Sequence, residues 1–259
     1  MPIKISIITA VLNGYPFIEE AIRSVIYQDY PYKEYLIIDG NSTDKTVDVI
    51  KKYQEKIDYW VSEPDSGIYD AMNKGIKKST GEVIGILNSD DLLNDNVLEN
   101  IASLFNKNPN LDYAYGYIQR IRKSGEVYGK AESMTPQKIQ EEKFNRIPIP
   151  HGALFVKKKL FLELGFYNTD YIINADYDFI LKIIQKNKTG KYIHIPISRY
   201  RDGGISSGYL TFWERRILLK NHGVSLFKKE VIVAKSIFKM FLSRLIPHHF
   251  FLFLRNKIN

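Results

Sequence analysis

The sequence predicts an α/β fold built on a mostly parallel sheet flanked by helices, and three observations carry that expectation. Within residues 1–110, short apolar runs rich in β-branched residues alternate four times with stretches whose apolar residues recur at helical spacing. Two of those runs, YLIID (35–39) and VIGIL (83–87), contain almost no polar residue, so the sheet must be covered on both faces. Polar and acidic residues gather just past the ends of the runs, at 9–13, 39–42, 63–65 and 88–91. That is the edge at which an open parallel sheet takes its ligands.

The elements follow in order. KISIITAVLN (4–13) alternates and reads as a strand ending near Thr9. YPFIEEAIRSVIYQ (15–28) puts Phe17, Ile18, Ala21, Ile22, Val25 and Ile26 on one helical face, and Pro31 stops it. YLIID is the second strand, and GNSTD turns into the helix TVDVIKKYQEKI (46–57). YWVSE (59–63) is the third strand. The helix GIYDAMNKGIKKS (67–79) follows, with Ala71 and Gly75 four apart, a spacing that suits close helix packing. TGE then turns into VIGIL. Beyond it, LDYAYGYIQRI (111–121) and EVYGKA (126–131) read as strands joined by the hairpin signal RKSGE. ALFVKKKLFLELGFY (153–167) reads as a strand and a short helix, DYDFILKIIQKN (176–187) as an amphipathic helix, and KYIHIPISRYR (191–201) as a strand.

The chain has 259 residues, 44% of them hydrophobic, enough for one large domain and a tail. The absence of cysteine excludes a disulfide framework and thiolate chemistry. No G-x-G-x-x-G follows the first strand and no P-loop is present, so a dinucleotide or P-loop site is not indicated. Residues 213–259 hold ten Lys/Arg and two acids, whereas residues 1–212 balance to zero, so the net charge of +8 belongs to the tail. Within 228–246, Lys228, Lys235 and Lys239 share a helical face, and Ile232, Val233, Ile237, Phe238, Phe241, Leu242 and Leu245 occupy much of the rest. FFLFL follows Pro247. No uncharged run reaches the roughly 20 residues that span a bilayer, so the tail reads as an interfacial helix on an anionic membrane surface. A helical pair packed on the domain, or on a second copy in a homo-oligomer, is the competing reading. Nucleic acid is disfavoured, because bulky aliphatics interleave the basic residues and no nucleic-acid motif is present. The first strand starts at Ile3, which leaves no room for a signal peptide. The expected location is therefore cytoplasmic, peripheral on the inner face of the plasma membrane.

NSDD (88–91) places two adjacent carboxylates at the end of the fourth strand. One of them can cap a helix running through LLNDNVLENIASLF. Two, with Asp39 and Asp65 from neighbouring strand ends, repel one another. A divalent cation relieves that repulsion; hard oxygen ligands suit Mg2+ or Mn2+, and such an ion binds a diphosphate.

The run SIITAVLNG, YLIIDGNSTDKTVDVI, SEPDSGIYDAMNKGI and STGEVIGILNSDDLL resembles the nucleotide-binding half of family 2 glycosyltransferases, which have the GT-A fold, a Rossmann-like, mostly parallel sheet. HGALFV with GFYNTDYIINADYDFILKI resembles their acceptor half, and together the match covers about residues 3–210. The most similar members build bacterial O-antigen, capsule or exopolysaccharide. The resemblance implies a division into a nucleotide-sugar half (1–110), an acceptor half (111–212) and a basic tail (213–259). It also implies a metal-dependent, inverting hexosyltransferase acting on a glycan or lipid-linked glycan.

Carried over residue by residue, the resemblance makes Asp90 the ligand of Mn2+ or Mg2+, with Asp91 a second ligand or an orienting group and Asn88 in place of the motif's first Asp. Asp39 matches the acid that accepts N3–H of uracil or thymine, which implies a UDP- or dTDP-sugar. Thr9, Ala10, Leu12 and Asn13 match the first nucleotide loop, with Leu12 where an aromatic is usual. Asp65 would approach the nucleotide, and Asn73 and Lys74 the diphosphate; read by themselves, the last two are an exposed helix face. Asp176 matches the catalytic base, with Asp178 the runner-up and a helix N-cap the plainer reading. His151 would line the acceptor side, although a lone His after prolines also reads as structural. Arg201 would neutralise phosphate in RYRDGGISS, with Gly203 and Gly204 letting that loop close. Two alternatives stand beside this reading. One is a nucleotidyltransferase, which wants a Gly- and Arg-rich first loop that AVLNGYP lacks; the other is a catalytically silent sugar-nucleotide or membrane-binding module.

Overall fold

A computed structural model describes residues 2–202 and 210–245, with side chains through Phe238. The chain divides into two compact units, Met1–Gly204 and Ile205–Asn259.

The first unit is built on one nine-stranded sheet in the order β3-β2-β1-β4-β8-β6-β9-β5, with β7 paired to β6. Its elements are β1 (Ile5–Val11), α1 (Ile18–Ile26), β2 (Lys33–Asp39), α2 (Thr46–Lys52), β3 (Tyr59–Ser62), α3 (Ile68–Lys78), β4 (Val83–Ile86), β5 (Leu92–Leu93) and α4 (Val97–Lys107). They continue with β6 (Tyr113–Ile121), β7 (Val127–Ala131), α5 (Pro136–Glu142), β8 (Leu154–Lys157), α6 (Lys158–Leu164), α7 (Ala175–Gln185) and β9 (Gly190–Arg201). The first four strands are mutually parallel, and β6 and β9 also run parallel. β8 joins β4 and β6 antiparallel, as do β7 to β6 and β5 to β9. The sheet is thus less uniformly parallel than alternation in the first half suggests, because the second half extends that same sheet.

Both faces are covered. Ile18, Ala21, Ile22 and Val25 of α1 and Val97, Leu98, Ile101, Ala102 and Phe105 of α4 are buried. On α3, a Cβ at Gly75 would lie 2.4 Å from Ile8 Cγ2, so the glycine is what lets the helix sit against β1. Glu34 ties β1, β2 and the turn before β4 together. It accepts hydrogen bonds from Ser6 Oγ (2.5 Å), Thr80 N–H (2.8 Å), Thr80 Oγ1 (2.7 Å) and Lys4 Nζ (3.3 Å). Burial acts to raise its pKa, but those bonds and the Lys4 charge outweigh burial and bring it down to about 2.

Three boundaries differ from the sequence expectation. β1 continues past Thr9 to Val11, because Ala10 and Val11 pair with Ile38 and Asp39 and Val11 O accepts the Gly40 N–H. α4 starts at Val97 with Asn96 at its N-cap, while Leu92 and Leu93 pair with Arg199 and Ser198, so neither Asp90 nor Asp91 caps a helix. The N-cap of α7 is Asn174, which puts Asp176 inside the first turn.

The second unit holds α8 (Leu210–Asn221) and α9 (Leu226–Leu245), bridged by Arg216 Nη2 and Glu230 Oε1 at 2.7 Å. Trp213, Phe227 and Phe238 are exposed. Among the described residues no helix is long and apolar enough to cross a membrane. Gly203 and Gly204, the FFLFL run, and the side chains of Lys239, Phe241, Leu242 and Leu245 lie outside the described residues.

Candidate active site

The ends of β1, β2 and β3 are laced together by short polar side chains. Asp39 closes β2 and is fully buried, 0% exposed. Its Oδ2 accepts Ser42 N–H (3.0 Å) and Ser62 Oγ (2.6 Å), and its Oδ1 accepts Ser42 Oγ (2.5 Å). Ser42 Oγ in turn accepts the N–H of Asn13 at 2.7 Å. Asn13 takes a left-handed φ of 53°, which aims its Oδ1 at Thr43 N–H, 2.9 Å away. Asp65 leans over the end of β2. Its Oδ2 lies 2.5 Å from where a Cβ on residue 40 would be, so a side chain there would push the carboxylate aside, and its Oδ1 holds Gly67 N–H at 2.8 Å. Leu12 projects from this edge, 60% exposed. The structure therefore brings Leu12, Asn13, Asp39 and Asp65 to one edge. Thr9 and Ala10 do not join them: both are buried within β1, and Thr9 Oγ1 lies 3.2 Å from the Tyr35 hydroxyl.

The acidic turn after β4 has one committed carboxylate and one open one. Asp91 is 2% exposed; its Oδ1 accepts Arg201 N–H (2.9 Å) and its Oδ2 accepts Asn88 Nδ2 (3.0 Å). Burial and the neighbouring Asp90 charge push its carboxyl up to about 7, against the pull of those two donors. Asp90 is half-buried, and burial raises its carboxyl as well. No other side chain among the described residues hydrogen-bonds it.

Arg201 departs from the expected phosphate role. It is 2% exposed; Nε donates to Asp90 O (3.0 Å), Nη1 to Lys123 O (2.8 Å) and Nη2 to Glu20 Oε2 (2.9 Å). Its guanidinium also stacks 4.4 Å from the Phe17 ring centroid. With its donors occupied by protein, Arg201 is a strut for the acidic turn. Lys74 and Asn73 are likewise engaged. Lys74 Nζ contacts Glu63 Oε1 (2.9 Å), Pro64 O (3.1 Å) and Asp70 Oδ2 (3.7 Å), so its charge is answered within its own segment. Asn73 is buried, not on an exposed face, and its amide clamps both main-chain groups of Tyr167, at 3.0 and 2.9 Å.

On α7, Asp176 is half-buried, and its Oδ1 accepts Tyr177 N–H at 2.8 Å and lies 3.1 Å from the Tyr69 hydroxyl. That hydroxyl also donates to Ile173 O at 2.5 Å. Asp178 is buried and paired with Lys182 Nζ at 2.7 Å, so of the two acids Asp176 is the accessible one. His151 is half-buried and its Nε2 lies 2.8 Å from the Tyr167 hydroxyl. Burial lowers the His151 pKa, while the Asp176 charge works the other way.

Sequence reasoning did not single out Tyr69, Tyr167, Ser42, Ser62 or Glu20. Tyr69 had one available signal, its place in the segment that opens α3 just after Asp65. Glu20 had none, since it meets Arg201 across 181 residues of chain.

A divalent ion can be tested against these donors. Asp90 fits as a carboxylate ligand, because it is half-buried and no side chain among the described residues hydrogen-bonds its carboxylate, the Arg201 charge reaching it only at a distance. Asp91, 2% exposed and held by the Arg201 N–H and Asn88 Nδ2, suits the orienting role rather than that of second ligand. Among the described residues no three of His, Asp and Glu converge, so an ion beside Asp90 would draw its remaining ligands from substrate and water.

The profile of glycosyl transferase family 2 matches residues 6–165. An uncharacterized glycosyltransferase of Mycobacterium tuberculosis is 31% identical over 182 residues, 69% of this chain and 68% of its own. Among solved structures, Staphylococcus aureus TarS 1–349 in complex with UDP-GlcNAc superposes with a TM-score of 0.65 at 19% identity, covering 90% of this chain and 71% of that one. The chain spans only 43% of the longer TarS chain. The mannosyltransferase PcManGT of Pyrobaculum calidifontis, in complex with GDP-Man and Mn2+, gives a TM-score of 0.61 at 22% identity over 92% of this chain and 65% of that one.

Proposed function

The chain belongs to glycosyl transferase family 2, and from that premise we propose an inverting enzyme that moves a sugar from a nucleoside-diphosphate donor to a hydroxyl of a glycan or lipid-linked glycan in bacterial surface polysaccharide synthesis. One observation carries the reading. Two half-buried carboxylates keep an oxygen clear of side-chain partners: Asp90 past the end of β4, and Asp176 on α7. Their neighbours Asp91 and Asp178 are both committed.

In this mechanism the acceptor oxygen bonds to the anomeric carbon on the face opposite the diphosphate. The acceptor's proton passes to Asp176 as the carbon–oxygen bond to the diphosphate breaks and its electron pair leaves with the diphosphate. A divalent cation held by Asp90 would supply positive charge against that departing group, in keeping with the Mn2+ of PcManGT. Asp39, Asn13, Leu12 and Asp65 would hold the nucleoside. Asp39 Oδ1 accepts a single hydrogen bond and so retains capacity for the N3–H of uracil or thymine once the Ser42 turn that covers this 0%-exposed carboxylate moves aside, which favours UDP- or dTDP-sugars. TarS with UDP-GlcNAc is consistent with that preference. His151, tied to Tyr167, would shape the acceptor side. The basic tail, with Phe227 and Phe238 exposed and Lys228 and Lys235 beside them, would rest on anionic lipid at the cytoplasmic face of the membrane.

The test is turnover. A panel of UDP-, dTDP- and GDP-sugars is followed for hydrolysis and transfer with Mn2+, in the parent protein and in Asp176→Asn. The expected result is hydrolysis of a UDP- or dTDP-sugar, a fall in kcat of roughly 10²–10⁴ in the variant, and an inverted anomeric centre in the product. Unchanged turnover in the variant, or a retained anomer, overturns the base mechanism. Nucleotide binding with no turnover of any donor marks the silent-module reading instead.

A further inference from the structure

Resting on Asp176 as the base, we propose that Tyr69 is a positioning residue that fixes Oδ1 of Asp176 and so makes Oδ2 the oxygen that takes the acceptor's proton. Oδ1 is surrounded by donors, the N–H of Tyr177 at 2.8 Å and the hydroxyl of Tyr69 at 3.1 Å. Oδ2 has no protein donor among the described residues. A carboxylate oxygen holding two hydrogen bonds is the less basic of the pair, and its rotation about χ2 is blocked by the N–H of its own helix. The free oxygen is then both the stronger acceptor and the reachable one.

Tyr69 is built to stay in place and to stay a donor. Its ring is buried and packs on Tyr167, with ring centroids 5.6 Å apart. Tyr167 is itself held at both main-chain groups by Asn73, one turn along from Tyr69 on α3. Burial and the adjacent Asp176 charge raise the Tyr69 pKa far above neutral, so the hydroxyl keeps its proton. That one proton has two acceptors, Ile173 O at 2.5 Å and Asp176 Oδ1 at 3.1 Å. The Ile173 carbonyl sits three residues before Asp176, so one acceptor lies on the segment that leads into α7 and the other in its first turn. At its other end, Tyr69 follows Gly67 by two residues, and the Gly67 N–H is held by Asp65 Oδ1 at 2.8 Å. The donor-side acid and the base are therefore joined through the first turn of one helix.

A core-only role for Tyr69 is the alternative, with its hydroxyl serving Ile173 O alone. A double-mutant cycle on the full chain separates the two. The parent, Tyr69→Phe, Asp176→Asn and the double variant are compared in hydrolysis of whichever of UDP-GlcNAc, UDP-glucose and GDP-mannose the parent cleaves fastest, with water as acceptor. Phe retains the ring packing. The expected result is a kcat about tenfold lower in Tyr69→Phe, with the donor KM within about twofold, and no further loss when the change is made in Asp176→Asn. Equal tenfold losses in both backgrounds, or parent kcat in Tyr69→Phe, overturn the proposal while leaving the base assignment standing. Parent kcat in Asp176→Asn removes the base itself and the proposal with it. A lower melting temperature in Tyr69→Phe does not confuse the result, because both backgrounds share it.

Discussion

The main-chain N–H of Arg201, at the end of β9, donates to Oδ1 of Asp91 at 2.9 Å across 110 residues of sequence. The guanidinium of the same residue holds the Asp90 carbonyl and pairs with Glu20 on α1. The acidic turn that would face the diphosphate is thus shaped by an element from the other half of the sheet. That relationship makes Arg201 a determinant of the geometry of this turn.

Arg201→Met is expected to destabilise the protein by about 2–4 kcal/mol, because the carbonyls of Asp90 and Lys123 lose buried donors. Nucleotide affinity should fall with it. Glu20→Gln should cost about 1 kcal/mol or less, since the Glu20 side chain is 52% exposed and water replaces the pair. Urea unfolding and calorimetric titration with UDP and Mn2+ measure both effects. A fully stable Arg201→Met with parent affinity would show that the strut is dispensable.

Asp90→Ala should abolish cation-dependent binding of the nucleoside diphosphate and leave the melting temperature unchanged or slightly raised, since the burial cost of the carboxylate outweighs the pull of the Arg201 charge on it. Asp91→Asn should retain most cation-dependent binding, because Asn still accepts the Arg201 N–H. Binding to Asp90→Ala that is as tight as to the parent and indifferent to EDTA would remove the ion from this position.

Asp39 should favour pyrimidines. UDP and dTDP are expected to bind more tightly than ADP or GDP, and Asp39→Asn should narrow the gap while preserving part of the Ser42 and Ser62 network. Equal affinities across the four nucleotides in the parent would exclude base reading by this acid.

Glu34 should govern stability in acid. Its folded pKa, about 2, lies below its ordinary value of 4.5, so its contribution is fully present above pH 4.5 and is lost as the pH falls towards 2. At neutral pH that contribution is about 3 kcal/mol. Glu34→Gln should therefore be less stable at pH 7 by that order, and the difference from the parent should shrink between pH 4.5 and 2. Urea unfolding at several pH values reads the trend; a difference that stays constant with pH would show that Glu34 acts through shape alone.

The sequence by itself determined the alternation of strands and helices, the close approach at Gly75, and the gathering of Asp39, Asp65 and the NSDD turn at one edge. Those features are carried by period and by neighbours within a few residues, which a linear reading can see. It could not determine which polar side chains remain open there. Thr9 is closed off because β1 pairs with β2 two residues further than its own pattern suggests. Asn73 is claimed by Tyr167, 94 residues away, and Arg201 by Glu20, 181 residues away. Asp90 and Asp91 are identical neighbours in the chain, and what separates them is that Asn88 Nδ2 and the main-chain N–H brought by β9 both reach Asp91, while no side chain among the described residues hydrogen-bonds the Asp90 carboxylate. A buried donor or acceptor must be satisfied by whatever the fold brings to it, and that partner is a property of packing.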